Sequence, residues 1–381
     1  MSQTHFFNGH ILTPAGMAQS LCIESGVIAG LDAAPSGETV DLDGGYLLPG
    51  FIDTQVNGGG GVLFNDAPTV AAIAAIGEAH AAYGTTGFLP TLISDELSVV
   101  DAAMRAVEAA IAQGVPGVLG IHIEGPFLNA ERKGIHNADV FRTLDASAKA
   151  LLKSLKRGRT MVTLAPEMCT MEDIAELAAA GVIVSAGHTN ATYDQTKAAL
   201  AAGVTGFTHL YNAMSPLSHR APGVVGAALE DTKSYCGLIL DGHHVHPAAV
   251  RIAMRCKPVD RFMLVTDAMP TVGAAVKTFQ LGERTIRVVD GALVGEDGTL
   301  AGSDLDMAAA VRFAVEAVGV SVADAVMMAA TAPAGFLGLT GITGHLVVGL
   351  RADLVWLDKA LQVRGVWRAG RALYPQVASA A

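Results

Sequence analysis

MEDIAELAAAGVIVSAGHTNATYDQTKAALAAGVTGFTHL, residues 171–210, sets the architecture. An alanine-rich helical stretch (171–180) gives way to a short apolar run (182–186). A second helical stretch (192–202) and a second run (205–210) follow. Such alternation is the pattern of parallel βα units. It extends in both directions: further strand-like runs fall at 50–56, 87–93, 117–123, 160–165, 236–240 and 261–266. Helical candidates cover 70–83, 97–113, 247–256 and 304–318. Eight runs separated by helices predict an α/β fold, a (β/α)8 TIM-type barrel over about residues 48–344. The weak links are 210–236 and the stretch after Asp267. Residues 278–300, with Asp290-Gly291 and Asp297-Gly298 turn signals, read as a β-hairpin flap.

Both ends have a different character. Residues 6–12 and 21–28, with Asn8-Gly9 and Ser25-Gly26 turns, look like hairpin strands, and so do 345–348 and 352–357. Strands at both ends can pair, so residues 1–47 and 345–381 are expected to form one small β-sandwich domain.

The composition narrows the function. With 25 Lys and Arg against 36 Asp and Glu, the 381-residue chain carries a formal charge of −11. That balance argues against nucleic acid or an anionic membrane as partner, while leaving room for a small anionic substrate in a local pocket. Hydrophobic residues at 51% against 16% charged exclude disorder and allow a large core. The mean hydropathy is +0.41, and 325–350 contains no Asp, Glu, Lys or Arg. Pro333, Gly335, Gly338, Gly341, Gly344 and Gly349 interrupt that stretch, so it reads as soluble core. Residues 1–16 carry no basic n-region or apolar h-region, so no signal peptide is expected. Cys22, Cys169, Cys236 and Cys256 are scattered without a CxxC, which suits reduced thiols in a cytoplasmic protein.

Chemically capable residues recur at one place in the units. Glu124 follows 120–123, His188 follows 184–187, His209 follows 206–208 and Asp267 follows 264–266. Strand C-termini of a βα barrel converge on one mouth, so residues distant in sequence become neighbours. One carboxylate and two imidazoles suit a divalent metal such as zinc with a fourth position open to water. A metal would bring the pKa of such a water to about 7, and Asp267 could then move its proton. Any one of these residues taken alone reads as a hydrogen-bonded loop residue; four at equivalent strand ends do not.

The motifs go further. The chain resembles the amidohydrolase superfamily over nearly its whole length, and within it the N-acetylglucosamine-6-phosphate deacetylases. Pro49-Gly50-Phe51-Ile52-Asp53 is similar to the superfamily's entry into its first barrel strand. Residues 123–129, 133–137, 186–189, 208–214, 241–245, 265–269 and 298–303 match deacetylase segments in order and spacing. Where the superfamily has His-x-His, this chain has Gln55-Val56-Asn57. Amides are poor zinc ligands, so the resemblance implies one divalent metal per subunit, held by Glu124, His188 and His209. Zinc comes first; Fe2+, Co2+ and Mn2+ are compatible with the same donors.

The resemblance also implies roles. Asp267 is the general base and acid. His136 contacts the sugar or polarises the acetyl carbonyl, the alternative being a surface histidine on a mobile loop. Asn212, Ala213, Arg220 and His244 match phosphate positions, with Asp241 in the same segment. Alone, Arg220 reads as a solvated loop charge, and His243, His244 and His246 as an adventitious metal cluster. Ile135, Leu300, Ala301 and Gly302 match the sugar pocket. Gln55 reads equally as a substrate contact and as polar packing under the mouth. His80 and His122 read as structural, and Glu167 as a residue orienting a ligand or loop. The implied reaction is hydrolysis of N-acetyl-D-glucosamine 6-phosphate, a phosphorylated amino sugar, to D-glucosamine 6-phosphate and acetate in a cytoplasmic homodimer with a phosphate site shared between subunits. The rivals are the galactosamine epimer, another N-acyl amide and a non-catalytic scaffold.

Overall fold

The structure, a computed structural model, describes residues 3–373; positions 1–2 and 374–381 of the expected terminal spans lie outside the described residues. Eight parallel strands follow one another in sequence order around a barrel. They are β1 (Phe51–Val56), β2 (Thr85–Ile93), β3 (Gly120–Glu124), β4 (Arg159–Leu164), β5 (Ile183–Ala186), β6 (Val204–Phe207), β7 (Tyr235–Leu238) and β8 (Phe262–Leu264). Every residue of β2 is buried, as expected of strands covered on both faces. The last seam closes beyond β8: Asp267 N–H donates to the Gln55 carbonyl at 3.0 Å, and Val56 pairs with Ala268.

Helices return the chain after each strand: α1 (Val70–Ala81), α2 (Leu97–Ala112), α3 (Ala146–Leu152), α4 (Met171–Ala179), α5 (Tyr193–Ala202), α6 (Gly223–Glu230), α7 (Pro247–Cys256) and α8 (Met307–Phe313). Local chemistry sets their starts. Thr69, Thr170 and Asp306 side chains each accept an orphan amide of the first turn, Thr192 and Gln195 form a reciprocal capping box, and Pro247 opens α7. Helix α6 fills the weak link at 210–236. All of its residues except Glu230 are buried, so it has no polar face to give it a helical period.

The terminal strands form one eight-stranded sheet around its own core, including Phe6, Leu21, Ile28, Leu47, Leu354, Trp356 and Trp367. Strand Leu354–Leu357 lies antiparallel to Tyr46–Pro49, directly before β1, and so ties the terminal sheet to the barrel. The flap is a three-stranded antiparallel sheet, Thr278–Leu281, Arg284–Val289 and Ala292–Val294. The Gly282 and Asp290-Gly291 turns each reverse the chain, which makes room for the third strand. It packs through Ile286 and Leu293 on Leu63, Met269 and Ala301.

Candidate active site

Glu124 ends β3, and its side chain shares the inward face with His122, two residues earlier. His188, His209 and Asp267 stand just beyond β5, β6 and β8, all with left-handed backbones (φ 48°, 36° and 52°). Non-glycine residues adopt that conformation at a cost of about 1–3 kcal/mol, and it persists only where neighbours over-determine it. Neighbouring strands do so here. Gly187 N–H bonds the Leu164 carbonyl, Thr208 N–H that of Ala186, and Leu210 N–H that of Gly237. The turns lift the side chains out of the strand alternation and over the barrel axis.

Three donor atoms meet there. His209 Nε2 lies 3.0 Å from Glu124 Oε1 and 3.1 Å from His188 Nε2, and His188 Nε2 lies 3.4 Å from Glu124 Oε1. All three residues are buried. Tetrahedral bonds of ~2.0–2.1 Å place donors about 3.3 Å apart, so this triangle has the edges of a zinc-type site. The Arg132 carbonyl can only accept, so His188 Nδ1, 2.8 Å away, is the donor and Nε2 keeps its lone pair for a cation. Burial works to raise the Glu124 carboxyl, but the adjacent His188 and His209 rings outweigh it and hold it well below the usual range. The residues present therefore fit one divalent ion.

Asp267 stands beside this triangle. Burial and then the Glu124 carboxylate push its carboxyl above the ordinary value. Gln55 Nε2 donates to Glu124 Oε1 (3.2 Å) and to Asp267 Oδ1 (3.1 Å), below the cavity and not on its wall. His136 is 3% exposed, not a surface residue, and its Nε2 is 3.9 Å from Glu124 Oε2. The Ser94 amide N–H donates to His136 Nδ1 at 3.2 Å, with the Ser94 hydroxyl 2.8 Å away. A nitrogen that accepts an amide proton carries none, so Nε2–H faces the site. Burial lowers the imidazole to about 3, keeping it neutral at pH 7. Gly125 makes the arrangement possible: at φ 88°, a Cβ there would lie 2.2 Å from Ser94 Oγ.

These groups line a cavity of about 210 Å³ with Ile135, Asn212, Ala213, His244, Thr299, Leu300 and Gly302. Asp241 sits behind the wall, its Oδ2 2.6 Å from His244 Nδ1. Two further residues expected at the substrate also lie off this wall. Arg220 is exposed on a separate surface groove with Tyr193 and Ser215, because the loop carrying it turns outward before α6. Ala301 is fully buried and faces the flap core, since alternate residues of an extended segment point in opposite directions. His243 and His246 are not among the cavity-lining residues. Glu167 accepts from Asn129, Thr189 and Asn190, pinning the loops around His188. His122 bonds Thr163 at 2.7 Å and His80 bonds the Gly58 carbonyl at 2.9 Å. Ser94 was missed, because a lone serine carries no motif; Thr299 lies in the matched 298–303 segment but was given no role of its own.

The amidohydrolase family model matches residues 46–373. The chain belongs to the amidohydrolase family. A relative from Shewanella sp. (strain ANA-3), N-acetylgalactosamine-6-phosphate deacetylase, is 43% identical over 96% of this chain and 94% of its own. The solved N-acetylglucosamine-6-phosphate deacetylase of Pasteurella multocida superposes with a TM-score of 0.93 at 34% identity, covering 97% of this chain and 99% of that one. The Mycobacterium smegmatis N-acetyl-D-glucosamine-6-phosphate deacetylase, an aspartate-to-alanine mutant in complex with N-acetyl-D-glucosamine-6-phosphate, gives 0.91 at 34% identity, covering 98% and 100%. Amidohydrolase membership thus accounts for the barrel and for the donor set at its mouth.

Proposed function

We propose that this chain hydrolyses N-acetyl-D-glucosamine 6-phosphate to D-glucosamine 6-phosphate and acetate. The observation that carries this reading is one cavity joining Glu124, His188 and His209 to Asp267 and His136, in a chain similar over nearly its whole length to deacetylases of phosphorylated amino sugars. Glu124, His188 and His209 would hold one divalent ion per subunit, zinc first. Bound there, it would supply Lewis acidity and an acidified water near neutral pH.

The chain's own groups do the rest. Asp267 accepts a proton from the attacking water as the C–O bond forms, and passes it to the amine nitrogen as the C–N bond breaks. The raised Asp267 carboxyl suits both halves of that cycle. His136 donates from Nε2–H to the acetyl oxygen as negative charge develops. Gln55 and Asn57 hold the Asp267 carboxylate from below. Ile135, Leu300 and Gly302 wall the sugar, while Asn212, Ala213 and His244, braced by Asp241, face its phosphate.

Arg220 and Leu217, 56% exposed, share a loop outside the cavity, which supports a homodimer whose phosphate end this loop completes. Among the described residues no helix is long and apolar enough to cross a membrane; with four free cysteines, this supports a cytoplasmic setting. On this reading the catalytic unit spans about 48–344, braced by the terminal sheet.

The 43% identical relative favours a second reading, N-acetyl-D-galactosamine 6-phosphate. An acetate-release assay on both sugars, with and without phosphate and with metal quantitation, tests both. Release from the glucosamine compound with a higher kcat/KM supports the first reading, and preference for the epimer the second. Equal activity without phosphate favours another N-acyl amide, and no activity with any added metal a scaffold.

A further inference from the structure

Ser303 lies outside the cavity wall, 1% exposed, and grips the backbone on both sides of Asp267. Its hydroxyl donates to the Thr266 carbonyl at 2.5 Å and accepts the Leu305 amide at 3.0 Å. Its own N–H donates to the Asp267 carbonyl at 2.9 Å, and its carbonyl accepts the Met269 N–H at 3.0 Å. On the opposite side, the Gln55 carbonyl takes the Asp267 amide, and Asp53 takes the Thr266 hydroxyl. The Asp267 turn is therefore held between β1 and Ser303. Gly302 fits closely too: at φ 62°, a Cβ there would stand 2.7 Å from the Asp267 carbonyl oxygen. The residues just before Ser303 divide between two surfaces. Thr299, Leu300 and Gly302 line the cavity, whereas Ala301 packs into the flap core.

We propose that Ser303 is the positioning residue for Asp267, locking its left-handed turn and linking that turn to the segment that walls the substrate and carries the flap. This rests on the role given to Asp267 under the proposed function. A backbone conformation unfavourable for aspartate needs external bonds; the Ser303 main chain supplies those to Asp267 and Met269, and its hydroxyl alone supplies those to Thr266 and Leu305. Asp53 and Gln55 anchor the other edge from β1. Ser303 thus acts through Asp267 on proton transfer, not on ion or sugar binding.

The test compares Ser303→Ala and Ser303→Cys with the parent, alone and in Asp267→Asn. Ser303→Ala should lower kcat about tenfold or more with KM within about twofold, and Ser303→Cys, which keeps a weak donor, should lie between. In Asp267→Asn, Ser303→Ala should cost less than about twofold further, because residues acting as a unit are not additive. Bound metal should stay at the parent stoichiometry. Amide exchange across 265–270 should quicken in Ser303→Ala, a readout that needs no substrate. Equal losses with and without Asp267, or unchanged exchange at 265–270, overturns the proposal. If Ser303→Ala does not fold, Ser303→Cys carries the same comparison. A parent that releases no acetate defeats the functional reading alone, since the exchange result still decides whether Ser303 holds the turn.

Discussion

Asn57 Nδ2 donates a 2.6 Å hydrogen bond to Oδ1 of Asp267. Gln55 Nε2 donates to the same oxygen at 3.1 Å. Two amide N–H groups thus occupy the place where other amidohydrolases have imidazole lone pairs, and N–H donors repel a cation. Replacing Gln55 and Asn57 together by histidine should therefore create a second metal site, because imidazole nitrogens accept where amide nitrogens donate. Metal quantitation of the double variant is expected to show additional bound zinc relative to the parent. An unchanged ratio would mean that the amides are not what limits the site.

Asp267 carries the proton traffic. Asp267→Asn should keep the ion, since its ligands are untouched, and lower kcat by roughly 10²–10⁴-fold. Activity needs the carboxylate as base, so it falls as pH drops through the Asp267 pKa. Burial and Glu124 raise that pKa, so the acid limb of the kcat profile should lie above the usual carboxylate range and vanish in the variant.

His136 is expected to act as a neutral donor. Its replacement by alanine should cost about 10²–10³-fold in kcat, the loss typical of an oxyanion donor. Gly125→Ala should mimic part of that loss with His136 intact, because the new Cβ would displace the Ser94 hydroxyl. Parallel measurement of metal content separates this from damage to Glu124. Normal turnover in Gly125→Ala would show that Ser94 does not fix the ring.

His80 predicts an acid-sensitive stability. Burial lowers its imidazole from 6.5 to about 4. Below pH 6.5 the unfolded chain takes up a proton that the folded one refuses, so this contribution to stability is full above 6.5 and is lost as pH falls toward 4. Between pH 7 and 5 the loss from this group should be about 2 kcal/mol. His80→Gln keeps a donor for the Gly58 carbonyl and removes the titration. Urea unfolding of both proteins across that range should show the shallower pH slope in the variant; parallel slopes would refute the assignment.

The barrel was legible because strands covered on both faces are continuous apolar runs, and the eight runs read from the sequence each overlap one of β1 to β8. The donor triangle was legible because position along a βα unit fixes position around the mouth. Helix α6 was not, since Gly223–Glu230 is buried on nearly every side and has no amphipathic period. Arg220 sat on an outward loop whose direction no local pattern encodes. Ser94 and Ser303 act through hydroxyls and amides that meet distant backbone only after folding. The left-handed turns at His188, His209 and Asp267 were equally hidden, because none is glycine.

The central claim is that one cation at Glu124, His188 and His209 makes the cavity a deacetylase. Zinc titration of metal-stripped protein, followed by acetate release from N-acetyl-D-glucosamine 6-phosphate, tests it most directly. Activity should rise in proportion to added zinc and break at a single equivalent per chain, with His188→Ala and His209→Ala showing no such rise. Acetate release that is indifferent to zinc, or that still climbs with zinc in those two variants, would contradict the account.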